Sequence, residues 1–178
     1  MIQCRDILDL SVDTCASSWT NPTFLAFLSS MPYLQQLSLY SLSEDEEDSE
    51  DEEDSEDEED TAPNLVPCIQ SVVNLTSFTL GMSEIPDSLL HAMTLRVNHI
   101  DDPLGSTLLP KLRKLNLPYV ETFSHDAFEA LLLSRTLGNV GTAVAQLECV
   151  MLSRDISNLH ELQKRLELKG IWHFIDQE

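Results

Sequence analysis

The sequence predicts an α/β fold in which strands and helices alternate along the chain as a solenoid of repeated units. Two observations lead to this prediction. Apolar pairs with the spacing of a half-buried strand recur at steps of 29, 41, 37 and 35 residues, and the stretches between them carry helix caps and apolar stripes. Because one unit cannot cover its own apolar face, neighbouring units are expected to stack into one continuous core. The 178 residues suit a single domain over 1–178.

Five apolar pairs mark the predicted strands. The pairs begin at Leu8, Leu37, Phe78, Leu115 and Val150. In the last four units another leucine stands three residues before the pair, which gives the pattern LxxLxL. These preceding leucines are Leu34, Leu75, Leu112 and Leu147. A sixth strand is predicted for the apolar stretch GIWHFI at 170–175.

Helices are predicted between the strands. TNPTFLAFLSSM offers Thr20 or Asn21 as an N-cap and Pro22 at the first helical position. SHDAFEALLLSR begins with Ser124 as the cap and carries an acid in its first turn. The stretches NLVPCIQSVV and DSLLHAMTL predict shorter helices. DISNLHELQKRLELKG predicts a last helix, in which Glu161 and Arg165 form an i,i+4 ion pair.

Repeated strand–loop–helix units of this length are typical of leucine-rich repeats, which place parallel strands on the concave face and helices on the convex face. In regular repeats a polar residue, usually Asn or Cys, follows the last strand leucine by three positions. The residues at that position here are Asp13, Leu42, Ser83, Val120 and Asp155. Because Leu42 and Val120 have no polar side-chain atom, the sequence predicts an irregular leucine-rich-repeat solenoid.

An acidic insertion, residues 43–61, interrupts the repeats and contains the hexapeptide SEDEED three times. It supplies 15 of the 31 acidic residues, so the rest of the chain carries 16 acidic against 10 basic residues, a charge of −6 rather than −21. Like-charge repulsion predicts a disordered acidic loop, and an insertion of this length costs only about 1 kcal/mol of loop entropy. The simplest interpretation is a tolerated insertion without function.

Two functional alternatives for the acidic insertion stay open. It is a candidate docking segment for a basic protein, for example a histone or a nuclear-import factor. It also offers three serines, each followed by acids at positions +1 to +5, which acidophilic kinases of the casein-kinase type favour. These candidate phosphorylation sites are Ser43, Ser49 and Ser55.

Composition argues against several classes of function. Ten Lys and Arg residues form no basic stripe, so no nucleic-acid partner is predicted. No apolar run is long enough to cross a bilayer, and no secretory signal is recognisable, so a cytoplasmic or nuclear location is expected. The cysteines and histidines lack metal-site spacing, and no cofactor is predicted. Ser124, His125 and Asp126 are consecutive and therefore do not assemble a catalytic triad. No enzymatic activity is predicted.

Several phrases resemble the C-terminal repeats of fungal F-box proteins, especially those expanded in mushroom-forming species. They are MPYLQQLSLYSL, PDSLLHAMTLR, LLPKLRKLNLP, FEALLLSR and QLECVMLS, and the resemblance covers nearly the whole chain outside the insertion. It implies leucine-rich repeats that recognise substrates for a ubiquitin ligase. The F-box itself is absent from this sequence, so no adaptor binding is expected. The chain is interpreted as a fragment or a repeat-only relative of that group.

The predicted function is therefore a non-enzymatic protein–protein interaction module. The candidate partner-binding residues point outward from the strands, with Asp9 and Ser11 at one end, and are Gln36, Ser38, Tyr40, Ser77, Thr79, Lys114, Asn116, Cys149 and Met151. Tyr40 and Met151 are the candidate anchors. The alternative is a binder of basic proteins such as histones, similar to the acidic leucine-rich nuclear phosphoproteins. Their acidic run is C-terminal, whereas this one is internal.

Overall fold

Nine elements follow one another in the computed structural model, which describes residues 7–13, 21–40, 65–95, 108–136, 144–152, 161 and 164–165. In chain order they are β1 (Asp9–Asp13), α1 (Asn21–Ser29), β2 (Gln36–Tyr40), α2 (Leu65–Gln70), β3 (Ser77–Gly81), α3 (Asp87–Met93), β4 (Lys114–Leu117), α4 (His125–Thr136) and β5 (Cys149–Leu152). The predicted alternation of strand and helix is confirmed for these nine elements.

The five strands form one sheet in which every pairing is parallel and the spatial order follows the chain order, β1-β2-β3-β4-β5. Its register places Leu37, Phe78, Leu115 and Val150 in one row, as the spacing of the apolar pairs predicts. Parallel neighbours require a crossover connection, and the described helices α1 to α4 lie within those connections. The protein is therefore an α/β protein with an all-parallel sheet.

The same hydrogen-bond pattern links each strand to the next. The carbonyl oxygens of Leu8, Gln35, Thr76 and Arg113 each accept two backbone N–H groups, at 2.7–3.1 Å, from the residues that lead into the following strand. We call this series of four acceptors the carbonyl ladder. A tight turn precedes β2, β3 and β4. In these turns the amides of Leu34, Leu75 and Leu112 each donate to the carbonyl oxygen three positions earlier, at 3.1–3.2 Å.

The register corrects the predicted position of the first apolar pair. Leu10, and not Leu8, pairs with Leu37. Leu8 lies before the strand, is 50% exposed, and contributes its backbone carbonyl to the carbonyl ladder. The sequence LDLSV has apolar residues at three alternate positions, so two pairings two residues apart match the pattern equally well. The outward residues of β1 are unchanged by this shift, because the side-chain period of a strand is two.

One apolar core lies between the sheet and the helices. It includes the four LxxLxL leucines, the inward strand residues of β2 to β5 and the apolar stripes of the helices. From α1, Phe24 and Leu28 pack in this core. From α4, Phe128, Leu131 and Leu132 do so. The cap predicted for α4 is confirmed, since Ser124 Oγ accepts the amide of Ala127 at 3.3 Å. The helices contact one another in chain order, α1 with α2, α2 with α3, and α3 with α4.

A buried arginine lies inside this core. Arg135, near the end of α4, is completely buried, and its guanidinium group donates to the carbonyl oxygens of Met93, Leu108 and Leu109 at 2.5–3.0 Å. Leu109 has a φ of 54°, in the left-handed region that costs a leucine about 1 kcal/mol. Arg135 thus binds the end of α3 and the segment that leads into β4, while its own carbonyl accepts the amide of Leu147 at 3.3 Å.

The predicted ion pair of the last helix is wrong. Arg165 pairs with Asp126 at 3.4 Å and with the buried Glu129, both in α4, rather than with the exposed Glu161. A tertiary contact with a buried carboxylate therefore replaces a local i,i+4 pair. Several other predictions lie outside the described residues. They are the strand at 170–175, the N-cap at Thr20, the acidic insertion 43–61, and its serines Ser43, Ser49 and Ser55.

Candidate interaction surface

The side of the sheet opposite the core carries the predicted partner-binding residues, and we call it the polar face. Two register rows of the polar face cross all five strands. The first row is Asp9, Gln36, Ser77, Lys114 and Cys149, and the second row is Ser11, Ser38, Thr79, Asn116 and Met151. Residues separated by up to 41 positions in sequence thus become direct neighbours, about 4.8 Å apart from strand to strand.

The two rows differ in accessibility. Asp9, Gln36 and Lys114 of the first row are exposed, whereas Ser77 and Cys149 are partly buried. In the second row only Ser11 is exposed, and Thr79 is 9% exposed. Thr79 therefore points to the predicted side of the sheet but offers a partner little contact area. A molecule that binds the polar face meets the first row more directly than the second.

An aromatic pair lies at the ends of the strands. The ring of Tyr40 lies so close to Gly81, its register neighbour in β3, that a Cβ at position 81 would overlap Cδ1 of Tyr40. The same Cβ would lie 3.1 Å from Cδ2 of Tyr119. The rings of Tyr40 and Tyr119 are 6.4 Å apart between centroids and tilted by 59°. The glycine therefore makes room for two aromatic rings above the backbone of β3.

Tyr119 was not among the predicted binding residues. It follows β4 by two positions, outside any strand pattern, and it is 55% exposed. The sequence signal for Tyr119 is an aromatic residue two positions after one strand, combined with the glycine Gly81 at the end of the preceding strand. Tyr40, one of the two predicted anchors, is partly buried within this pair, and the other, Met151, is partly buried in the second row.

Asn116 has an unsatisfied polar atom on the polar face. Its Oδ1 is buried and accepts no hydrogen bond from any residue that the structure describes. Asn116 lies in the second row between Thr79 and Met151, at the last register pair that joins β3 to β4. An unsatisfied buried acceptor is rare in native proteins, because it forfeits the hydrogen bond that water would supply.

Charge on the polar face is separated along the first row. Asp9 lies on β1 and Lys114 on β4, and the residues between them are the uncharged Gln36 and Ser77. Asp13 adds a second exposed carboxylate to the outward side of β1. The polar face is therefore anionic at its β1 end and cationic at β4.

The three consecutive residues Ser124, His125 and Asp126 each contact a different partner. Ser124 caps α4, Asp126 contacts Arg165, and the ring of His125 lies 5.3 Å from that of Phe123. Each of the three side chains therefore has its own contact at the start of α4. Within the described ranges no group of three or more His, Cys, Asp or Glu side chains is arranged to hold a metal ion.

Neither of the two described cysteines, Cys68 and Cys149, forms a disulfide bond. Cys68 lies in the core, and burial raises the pKa of its thiol. That shift favours the neutral thiol, which is a poor nucleophile and a poor metal ligand. Cys149 lies on the polar face beside Lys114 in the register.

Comparisons with known proteins add no family assignment. No protein-family model matches the chain, and no curated protein matches it significantly. Among the helices that the structure describes, none combines the length and apolar character needed to span a membrane.

Proposed function

We propose that this chain is a non-enzymatic protein-interaction module built as an irregular leucine-rich-repeat solenoid, with the polar face as its concave binding surface. The carbonyl ladder is the observation that supports this proposal most directly. Its four steps reproduce one backbone geometry at strands that are separated by segments of different length. Stacked repeats produce such a pattern because each unit contacts the next in the same way.

The interaction we favour is substrate recognition of the kind carried out by the repeats of F-box proteins. Two properties of the polar face suit that role: exposed polar and charged residues lie in register, and an aromatic pair lies at one edge. Buried aromatic side chains contribute disproportionately to binding energy. A cytoplasmic or nuclear location accompanies this proposal, and the absence of a disulfide bond at Cys68 and Cys149 is compatible with a reducing compartment.

Display of protein fragments from the source cell tests this function. Binders selected on the wild-type chain are measured against a double variant, Gln36→Arg with Ser38→Arg, which places two long cations on the polar face. A matched control, Ala130→Arg, changes an exposed residue of α4 on the other side of the core. We expect the double variant to weaken selected binders at least tenfold and the control to leave them unchanged. Equal effects of the two variants would rule out the polar face as the binding surface.

The acidic insertion supports a second candidate function, the binding of basic proteins such as histones. The specific observation is the density of charge, 15 carboxylates between Glu44 and Asp60. Phosphorylation of Ser43, Ser49 or Ser55 would increase that charge. The test replaces Glu44–Asp60 with an uncharged Gly/Ser segment of the same length and measures histone affinity at several salt concentrations. Loss of a salt-dependent affinity favours this candidate, and unchanged affinity excludes it.

A further inference from the structure

The unsatisfied Oδ1 of Asn116 is the observation from which a more specific ligand can be inferred. The terminal torsion of an asparagine side chain is broad and nearly two-fold, so the amide can turn and exchange the positions of its oxygen and nitrogen. An asparagine amide offers an acceptor oxygen and a donor nitrogen in a single plane. That pair matches the N–H and C=O groups of one residue in an extended peptide.

The position of Asn116 suits a ligand that crosses the strands. It lies in the second row, which is less exposed than the first, and its Oδ1 lacks a hydrogen-bond donor within the part of the chain that the structure describes. An extended peptide needs partners for its backbone groups wherever it is removed from water. The amide of Asn116 can pair with these backbone groups, so the contact does not depend on the side chains of the peptide.

The charges of the first row give the ligand a direction. Asp9 and Lys114 are both exposed and are separated by three strand spacings, about 14–15 Å. An extended peptide covers that distance in about four residues. Charge complementarity places a basic ligand residue over Asp9 and an acidic one over Lys114.

We propose that the polar face binds an extended peptide segment that crosses the strands, with its backbone bound by Asn116, a basic residue over Asp9 and an acidic residue over Lys114 about four residues away. This inference rests on the interaction function proposed above and adds the chemistry and orientation of the ligand.

A displayed library of random 12-residue peptides, selected on the full chain, tests the charge pattern. We expect selected peptides to carry Lys or Arg three to five residues from Asp or Glu, in one constant order. Lys114→Glu should weaken these peptides about tenfold, and replacing their acidic residue with Lys should restore binding. The control is Lys111→Glu, which changes an exposed lysine in the turn before β4 that contacts Asn74 and should have no effect.

Asn116→Ala tests the backbone contact separately. We expect it to weaken all selected peptides by about tenfold, whatever their sequence. The Tm of the free protein should stay equal or rise, because the orphan acceptor is removed. A lower Tm with unchanged peptide affinity would make Asn116 a structural residue and overturn its assignment.

The peptide inference and the proposed interaction function predict different results, so their failures can be distinguished. Selected peptides that lose binding with the Gln36→Arg and Ser38→Arg variant but show no charge pattern, or no response to Lys114→Glu, contradict only this inference. A library that yields no peptide also contradicts only this inference. If neither the Gln36→Arg and Ser38→Arg variant nor Lys114→Glu changes the binding of displayed protein fragments, the polar face as the binding surface is overturned as well.

Discussion

Arg135 at the end of α4 donates two hydrogen bonds to the carbonyl oxygen of Met93 at the end of α3, 42 residues earlier, at 3.0 Å from Nε and 2.8 Å from Nη2. A helix terminus leaves its last carbonyls without intrahelical partners. A cation suits that position because the C-terminal end of a helix carries partial negative charge. The same guanidinium group also binds Leu108 and Leu109, so one side chain joins two consecutive units of the core.

We predict that Arg135→Met lowers the free energy of unfolding by about 3 kcal/mol, because the carbonyls of Met93 and Leu108 lose their charged donor while still buried. The matched control is Arg113→Met. Arg113 is also paired, with Glu148, but its side chain is 55% exposed, so the expected loss is below about 1 kcal/mol. Urea denaturation of both variants provides the measurement. Similar losses for the two variants would contradict the role assigned to Arg135.

The contribution of Arg135 should not depend on pH in the neutral range. Burial lowers the pKa of Arg135 to about 10, and its ordinary value lies higher still. Below pH 9 the folded and unfolded chains therefore bind the same proton on this group, so its contribution to stability has no slope with pH. Above pH 10 the unfolded chain retains that proton more strongly, so the desolvation cost of the charge is progressively relieved. Arg135→Met should thus show the same loss at pH 6, 7 and 8.

Glu129 and Asp126 share Arg165 as a partner but differ greatly in exposure, 7% against 91%. We predict that Glu129→Gln costs about 1–2 kcal/mol of stability, because a buried charge-assisted hydrogen bond is weakened. Asp126→Asn should cost less than about 1 kcal/mol, since an exposed pair at a helix start contributes little. Repeating both urea titrations in 1 M NaCl distinguishes them further. Salt should remove the effect of Asp126→Asn and leave most of that of Glu129→Gln.

The strand rows could be predicted from the sequence because they depend on a period-two pattern repeated along the chain. Leu34, Leu75, Leu112 and Leu147 are all buried, as the LxxLxL pattern requires. The outward positions follow from the same alternation, which is why the polar face could also be predicted. The first strand shows the limit of the pattern, since only the pairing of Leu10 with Leu37 decides between two equivalent positions.

The remaining features depend on tertiary contacts that no local pattern contains. Arg135 continues the buried stripe of α4 after Phe128 and Leu131, yet composition alone favours an exposed arginine. Arg165 pairs with the buried Glu129 of α4 rather than with the acid four positions before it in sequence. Tyr119 meets Tyr40 only because β2, β3 and β4 lie side by side, with a glycine between the two rings.

Gly81 leaves room for the ring of Tyr40, so we predict that Gly81→Ala destabilises the fold by about 1–3 kcal/mol through overpacking. The matched control is the same substitution in a Tyr40→Ala background, where the obstructing ring is gone. There the cost should fall by at least about 1 kcal/mol, which a double-mutant cycle reports as a coupling free energy. An unchanged cost in both backgrounds would mean that the backbone of β3, and not the ring, determines the preference for glycine.

The corrected position of the first apolar pair predicts that Leu10 and Leu8 contribute differently to stability. Leu10 is partly buried against the core, whereas Leu8 is 50% exposed and contributes to the carbonyl ladder only through its backbone. Leu10→Ala should therefore cost about 1–2 kcal/mol, less than a fully buried leucine because part of the side chain is already in water. Leu8→Ala should change stability by no more than about 0.5 kcal/mol. The reverse order in urea denaturation would place Leu8 opposite Leu37 and shift β1 by two residues.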